Sequence, residues 1–497
     1  MVSYFGTNGV RGTLDNITPD FIAKLCASFA TWANKNRKEG YLQVLVAKDT
    51  RTTGELVEGA VVSGLLWAGA QPVLLGVMPS PAVEFLSKKR GTPSIIITSS
   101  HNPPEWVALK FNDENGVALS KERGEEVEKI LIDEKWYRTR WDRIPPVLKD
   151  CGALGEYMDV LRRGCLETVN SARMAGDGKQ GHEKQNQLNG LKVVIDCGNG
   201  TTGRVAPALF KELGAKVITL NAQEDGFFPG RNSEPTEQNV QELIKTVKAV
   251  GADLGIAYDG DGDRLALVDE KGNYVLGDKV FAIAVDIIYN ELKEEREVCG
   301  EQSNNQIKDV VTTVATSNII KEVAARHGAH VKYVKVGAPY IAEEMEGYIK
   351  TEKGILKAET GACRYATGGE EVGGIIWPRV HPGKDAILSS LKIAGMLVKS
   401  KKKLSEVVDA LPKFVNVKTK IEMGEERFLK IKKLQEKLKN MKNATVIDGV
   451  RLDFDDGWCI ARASGTENYI RIFGEAKSEG KARELVELLK KELENIA

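Results

Sequence analysis

Residues 252–272 read ADLGIAYDGDGDRLALVDEKG, and the rest of the chain is most easily parsed outward from them. The apolar, strand-like run Leu254–Tyr258 ends abruptly in Asp259-Gly260-Asp261-Gly262-Asp263-Arg264. Three carboxylates at every second position, spaced by glycines that permit a sharp loop, can be turned inward onto one hard cation. An octahedral Mg²⁺ would find three protein oxygens there and keep room for phosphate. A calcium loop of the EF-hand type also starts with alternating acids, and its twelfth position would fall on Glu270. Its sixth position requires glycine, however, and Arg264 stands there between strand-like flanks, so Mg²⁺ is the better fit.

Upstream, β-branched runs alternate with amphipathic stretches. Thr18-Pro19-Asp20 opens a helix with a cap, a proline and an acid, and Phe21, Ile22, Leu25, Phe29 and Trp32 follow at helical spacing. Strand Leu42–Ala47, helix Leu56–Trp67, strand Pro72–Leu75, helix Pro81–Lys88 and strand Ser94–Ile97 continue a βαβ grammar that predicts a mostly parallel, doubly wound sheet. The grammar restarts at LKVVIDCGNG (191–200) and again at the acid loop, whereas the last ~90 residues carry WCIARAS and NYIRIFGEA before an amphipathic helix. The expected class is α/β: three similar doubly wound units plus a smaller C-terminal α+β unit. Residues 171–190 and 294–309 are polar without apolar periodicity and are expected to be loops.

Length and composition narrow the function. A chain of 497 residues, 42% hydrophobic and 28% charged, has material for several cores. Seventy basic and seventy acidic side chains cancel, which argues against nucleic-acid binding through bulk charge. No apolar run reaches membrane-spanning length and no signal peptide is visible, so a cytoplasmic protein without membrane contact is expected. Seven scattered cysteines without C-x-x-C spacing favour neither disulfides nor zinc.

Two further segments carry chemistry. Thr98-Ser99-Ser100-His101-Asn102-Pro103-Pro104 follows a strand, where open α/β sheets place ligands, and Ser100 lies in no G-x-S-x-G elbow. Arg462-Ala463-Ser464-Gly465-Thr466-Glu467, with Arg471 beyond, holds guanidinium, hydroxyl and glycine backbone, the inventory of a phosphate cradle. Gly198–Gly203 satisfies G-x-G-x-x-G, but the next strand ends in Asn221 where a dinucleotide site wants an acid, so these glycines read as a structural turn. His182, His327 and His330 read as surface or capping residues; His381 and Trp106 lie close enough to the motifs to touch a substrate.

Together these segments resemble the α-D-phosphohexomutase superfamily, which includes phosphoglucomutase/phosphomannomutase and phosphoglucosamine mutase. FGTNGVRG, AKDTR, TSSHNPP, DGDGDR, GGEEVGG and RASGTENYIR appear in the family's order across ~470 residues. The resemblance implies four domains around a central cleft: 1–152 with the phosphoserine, 153–256, 257–411 with the metal and sugar loops, and 412–497 with the phosphate cradle. It implies Ser100 as phosphorylated nucleophile and fourth contact of a Mg²⁺ on Asp259, Asp261 and Asp263. Lys110, Arg11 and His101 would assist transfer; Arg264, Glu370 and Val372 would face the sugar; Arg462, Ser464, Gly465, Thr466 and Arg471 would hold the other phosphate.

The implied activity is interconversion of hexose 1- and 6-phosphates of glucose, mannose or glucosamine, with a hexose 1,6-bisphosphate as activator. Action on ribose phosphates, or a non-catalytic sugar-phosphate-binding paralogue, are the alternatives. The sequence departs from the family pattern in Val107-Ala108 for asparagine-glycine, in Ala338-Pro339-Tyr340 after Gly337, in Asn468 for proline, and in the sugar loop. There Val372 replaces a polar residue, and Gly374 stands where GEESGH has histidine.

Overall fold

The structure, a computed structural model, describes residues 4–35, 40–166, 187–299, 308–351, 354–357, 365–464 and 468–496. Its first sheet runs Val10–Thr13, Trp106–Asn112, Ser94–Ile97, Gln43–Lys48, Gln71–Val77, Leu148–Lys149. The last four strands are parallel, while Trp106–Asn112 is antiparallel to both its neighbours. Alternation along Gln43–Lys48 shows why helices cover both faces. Val44 and Val46 enter a core with Ile22, Phe29 and Leu65, and Leu45 and Ala47 enter another with Leu86 and Tyr157. Helix Pro19–Ala33 starts as its sequence predicts, with the Thr18 hydroxyl accepting from the Phe21 amide at 3.3 Å.

The second sheet is ordered Tyr274–Val275, Leu265–Asp269, Leu254–Tyr258, Lys192–Asp196, Lys216–Leu220. This corrects the expected restart at 257. Leu254–Tyr258 pairs in parallel with Lys192–Asp196 and antiparallel with Leu265–Asp269, so a boundary there would cut one sheet. The acid loop is a hairpin turn closing the second unit. A strand ending in glycines looks the same locally whether it opens a unit or turns back. The third unit begins with helix Gly277–Cys299 and has the sheet Val331–Val334, Asp309–Thr313, Tyr365–Gly369, Ile375–Ile376.

That helix also corrects the loop expected from residue 294, because it continues to Cys299. Glu291, Glu294 and Glu295 are paired with Lys392, Lys399 and Arg379, so ion pairs with the neighbouring segment replace the missing apolar periodicity. Residues 167–186 and 300–307 of the two expected loops lie outside the described residues. No described helix is long and apolar enough to cross a membrane.

The fourth unit is an antiparallel sheet ordered Val415–Glu422, Tyr469–Ala476, Gly457–Ala463, Val450–Phe454, Ala444–Thr445, with helices Arg427–Leu438 and Glu479–Glu494. One core is continuous through the first three units, whereas this one has its own. Arg451 joins it to the third. The fully buried guanidinium donates to the carbonyls of Val314 (2.9 Å) and Thr316 (3.2 Å) and to Asn318 Oδ1 (2.9 Å), between the rings of Tyr333 and Trp458. Arg451→Met leaves those acceptors buried without a donor, a cost of about 3 kcal/mol. Calorimetry should then show the C-terminal unit melting ahead of the rest; a single unchanged transition would refute the pin.

Candidate active site

The acid loop folds inward because its glycines allow it. Gly262 sits at φ +76, and a side chain at Gly260 would meet the Ser100 carbonyl at 2.9 Å. One oxygen from each of Asp259, Asp261 and Asp263 lies within 4.8 Å of the others, and all three residues are buried. Asp259 accepts from the amides of Asp263 (3.0 Å) and Arg264 (3.1 Å) and from the Ser100 hydroxyl at 2.6 Å. Asp261 accepts from Ser80 Oγ and Lys110 Nζ, each at 2.6 Å. Asp263 faces Lys110 at 3.2 Å and Lys384 at 3.4 Å.

Asp261 Oδ1 and Asp263 Oδ1 are buried without a hydrogen-bond donor. Two orphaned acceptors beside a third carboxylate form a hard, all-oxygen set that suits a divalent cation. Burial, then the charges of Asp263 and Asp261, drive the Asp259 carboxyl well above the usual range. Burial pushes Asp263 the same way, but Lys110, Lys384 and Arg264 overcome it and hold this carboxyl low. Burial opposes the charge on Lys110, yet Asp261 and Asp263 outweigh it and raise its pKa.

Ser100 is held against these acids in a strained backbone, at φ +50. Its carbonyl accepts from Arg51 Nη2 (3.1 Å) and Ser233 Oγ (2.9 Å), and its amide donates to Thr98 Oγ1 (2.9 Å). Arg51 also donates to the carbonyls of Asn102 and Pro103 and is aligned by Asp49. His101 has a buried Nδ1 without a partner. Burial and then Arg264 push its imidazole down to about 2, so it is neutral at physiological pH. Arg11 lies near the same cluster, its pKa lowered by burial and by Arg264, whose Nη1 pairs with Glu234 at 2.8 Å.

Glu370 follows strand Tyr365–Gly369 and receives Lys384 Nζ at 3.0 Å; Val372 is 37% exposed on the same loop. On the C-terminal sheet, Lys420 pairs with Arg471 and Arg471 with Arg462, so three cations line one row across three strands. Arg462 also donates to Asp448 at 3.0 Å, and the carbonyl of buried Ser464 accepts from Arg427 at 3.0 Å. Gly465 and Thr466 lie outside the described residues, as does His182.

Other motifs resolve into supports. The 198–203 turn braces the acid loop, the Thr201 amide donating to the Gly260 carbonyl at 3.0 Å. Glu270 is occupied by Ser405, so it completes no calcium loop. His327 bonds Asp286 and stacks on Tyr289; fully buried His381 bonds Asp385 at 3.1 Å. Trp106 is half-buried at the start of its strand. Sequence reasoning missed Lys384, Ser80, Ser233, Lys420 and Glu84. For Lys420 the alternation VNVKTKIE was a usable signal; Lys384 was hidden because PGKD before an apolar run reads as a helix cap, which Asp385 indeed is.

An α/β scaffold of three units with a C-terminal sheet, a serine facing a carboxylate triad and a row of cations define an α-D-phosphohexomutase. The chain belongs to the phosphoglucomutase/phosphomannomutase family, and so to the intramolecular phosphotransferases. It matches alpha/beta/alpha domain I over residues 2–138, domain II over 177–272, domain III over 277–414 and the C-terminal domain over 414–492. It is 38% identical over 494 residues to the phosphoglucomutase/phosphomannomutase of Thermococcus kodakarensis, with 98% of each chain covered. Identity is 33% over 492 residues to the phosphoglucosamine mutase of Methanocaldococcus jannaschii, covering 97% of this chain and 96% of that one. The crystal structure of a phosphoglucomutase/phosphomannomutase family protein from Burkholderia thailandensis shares the fold at TM-score 0.79 and 22% identity, covering 99% and 97%.

One buried acid beneath the site gives a pH dependence. Burial raises the Glu84 carboxyl from 4.5 to about 8. Between those values the folded protein holds a proton that the unfolded chain releases, so stability falls as pH rises through the window, by a few kcal/mol at most. Glu84→Gln removes this dependence. Its urea midpoint should gain on the wild type from pH 5 to pH 9; a constant gap would show that Glu84 is not buried as a neutral acid.

Proposed function

We propose that the protein interconverts hexose 1- and 6-phosphates through a phosphoserine at Ser100 and a bound hexose bisphosphate. The observation that carries this reading is the 2.6 Å approach of the Ser100 hydroxyl to Asp259 at the edge of the acid triad. Asp259, Asp261 and Asp263 would hold Mg²⁺, which supplies charge compensation for the phosphoryl group in flight.

The chain's own residues supply the rest. When a sugar hydroxyl attacks phospho-Ser100, its oxygen–phosphorus bond forms as the Oγ–phosphorus bond breaks. The hydroxyl proton passes, by way of a phosphoryl oxygen, to the departing Ser100 Oγ, which is restored as the hydroxyl that donates to Asp259, while Lys110 keeps its own proton between Asp261 and Asp263. Once the bisphosphate has turned end for end, Ser100 Oγ takes the other phosphoryl group as the sugar oxygen–phosphorus bond breaks, and the serine proton passes back to the departing sugar oxygen. Arg11 and Arg264 face the developing negative charge, and neutral His101 offers an acceptor without adding charge. Glu370 would bind sugar hydroxyls beside the apolar Val372. The row of Lys420, Arg471 and Arg462, with Ser464, Gly465 and Thr466, would hold the phosphate that is not reacting.

³¹P NMR with Mg²⁺ and a trace of glucose 1,6-bisphosphate, on separate glucose-, mannose-, glucosamine- and ribose-1-phosphates, tests the reading. Conversion is expected with a hexose phosphate, abolished by EDTA and reduced at least about 10³-fold in Ser100→Ala. Conversion of ribose 1-phosphate alone would replace the hexose with a pentose, and turnover unaffected by Ser100→Ala would end the phosphoserine scheme. Separately, Arg471→Ala should raise KM by about 10–100-fold, the loss of one charge-assisted phosphate contact. An unchanged KM would remove the cation row from the substrate site.

A further inference from the structure

Lys384 belongs to no motif, yet its ammonium lies between the metal loop and the sugar loop. It is 3.0 Å from Glu370 Oε2 and 3.4 Å from Asp263 Oδ2, with only 6% of the side chain exposed. Its stem reaches there over Gly374. A Cβ on Gly374 would sit 2.3 Å from Lys384 Cδ and 3.2 Å from both Cγ and Cε. Contacts that short cannot stand, and a lysine stem packed at three successive carbons has little room to retreat. A side chain at 374 and this path for the lysine therefore exclude one another.

The neighbours of Lys384 fix its role further. Asp263 is also served by Lys110, whereas Lys384 is the cation whose described contacts reach Glu370. Its backbone is anchored by Asp385, which caps helix Ala386–Ser400 through the Leu388 amide at 2.8 Å, and Ile376 bridges to Lys384 itself. From the first unit, Glu84 closes against the same turn: a Cβ on Gly383 would overlap Glu84 Oε2. A cation held this firmly transmits the position of one carboxylate to the other.

We propose that Lys384 is a positioning residue for substrate binding, setting the Glu370 carboxylate in register with the metal loop, and that glycine at 374 is the condition for it. The inference rests on the mutase reading, in which Glu370 binds sugar hydroxyls. Its effect on the sugar runs through Glu370; its contact with Asp263 bears on the metal loop, where Lys110 serves the same acid, and is kept apart by working at saturating Mg²⁺.

The test is steady-state kinetics on the best hexose 1-phosphate, with Mg²⁺ affinity measured by titrating the metal alone. At saturating Mg²⁺, Lys384→Met should raise KM at least tenfold with a smaller fall in kcat, and Lys384→Arg should recover part of the loss. Gly374→Ala should reproduce the KM defect in the wild type yet add less than twofold in a Lys384→Ala background, where the stem it displaces is already gone. A Lys384→Met enzyme with wild-type KM at saturating Mg²⁺, or one whose kcat falls as far as its KM rises, overturns the proposal; so does a Gly374→Ala effect that adds in full to Lys384→Ala. Should Lys384→Met fail to fold, Gly374→Ala in the two backgrounds decides. A wild-type protein that converts no hexose phosphate would overturn the mutase reading, and this inference with it.

Discussion

Three carboxylates confined within 4.8 Å of one another in the protein interior are the constraint around which the cleft is built. At an effective dielectric near 20, each charged pair at about 4 Å repels by about 4 kcal/mol. Burial and that repulsion drive Asp259 toward its neutral form, which leaves the Asp261–Asp263 pair to be compensated. The chain cannot carry that charge without cations, and it draws them from separate units: Lys110 from the first, Arg264 from the acid loop itself, Lys384 from the third. Charge compensation is thus also an inter-unit bond, which fits the single core continuous through the first three units. It remains incomplete, because two carboxylate oxygens have no donor, and that remainder is what a divalent cation would answer.

The serine loop shows the same logic in a neutral form. A non-glycine residue at φ +50 costs of order 1 kcal/mol or more, and it persists only where its surroundings over-determine it. Here Arg51 gathers the carbonyls of Ser100, Asn102 and Pro103, while Ser233 from the second unit holds the Ser100 carbonyl against the acid loop. The strained residue is fixed by contacts from two units before any ligand arrives, so its hydroxyl is presented without a search among rotated backbones.

How far the sequence foretold this depends on whether a feature is local. The acid loop, the serine loop and the helix at Thr18 were legible because spacing, glycine and capping chemistry act within a few residues. The metal triad was legible for that reason, and the structure brings its members together. The unit boundary at 257 was misread because strand pairing is decided far away, by Lys192–Asp196. The last turns of helix Gly277–Cys299 were misread because ion pairs with a neighbouring segment, not apolar period, support them. Ser80 was invisible for a related reason: it matters through Asp261, 181 residues off in sequence, while Lys384 was hidden in what reads as a helix cap.

The two anion-binding regions are built from opposite materials, and on the proposed mechanism each suits its task. Around Ser100 the groups are short, buried and cross-braced: aspartates, a serine, a lysine pinned between acids. Displacements there would be resisted by several hydrogen bonds at once. On the C-terminal sheet Lys420, Arg471 and Arg462 form a row of long side chains on a surface with its own core, joined to the third unit through Arg451. Phosphoryl transfer demands tight in-line placement at the reacting end. The other end must accept a phosphate on either carbon of the turned sugar, at unequal reach. A point-charge row with flexible stems tolerates that difference, because Coulomb attraction falls off slowly with distance while a hydrogen-bonded pocket does not. Rigidity at one phosphate and latitude at the other is what an exchange with a turning intermediate requires of a single cleft.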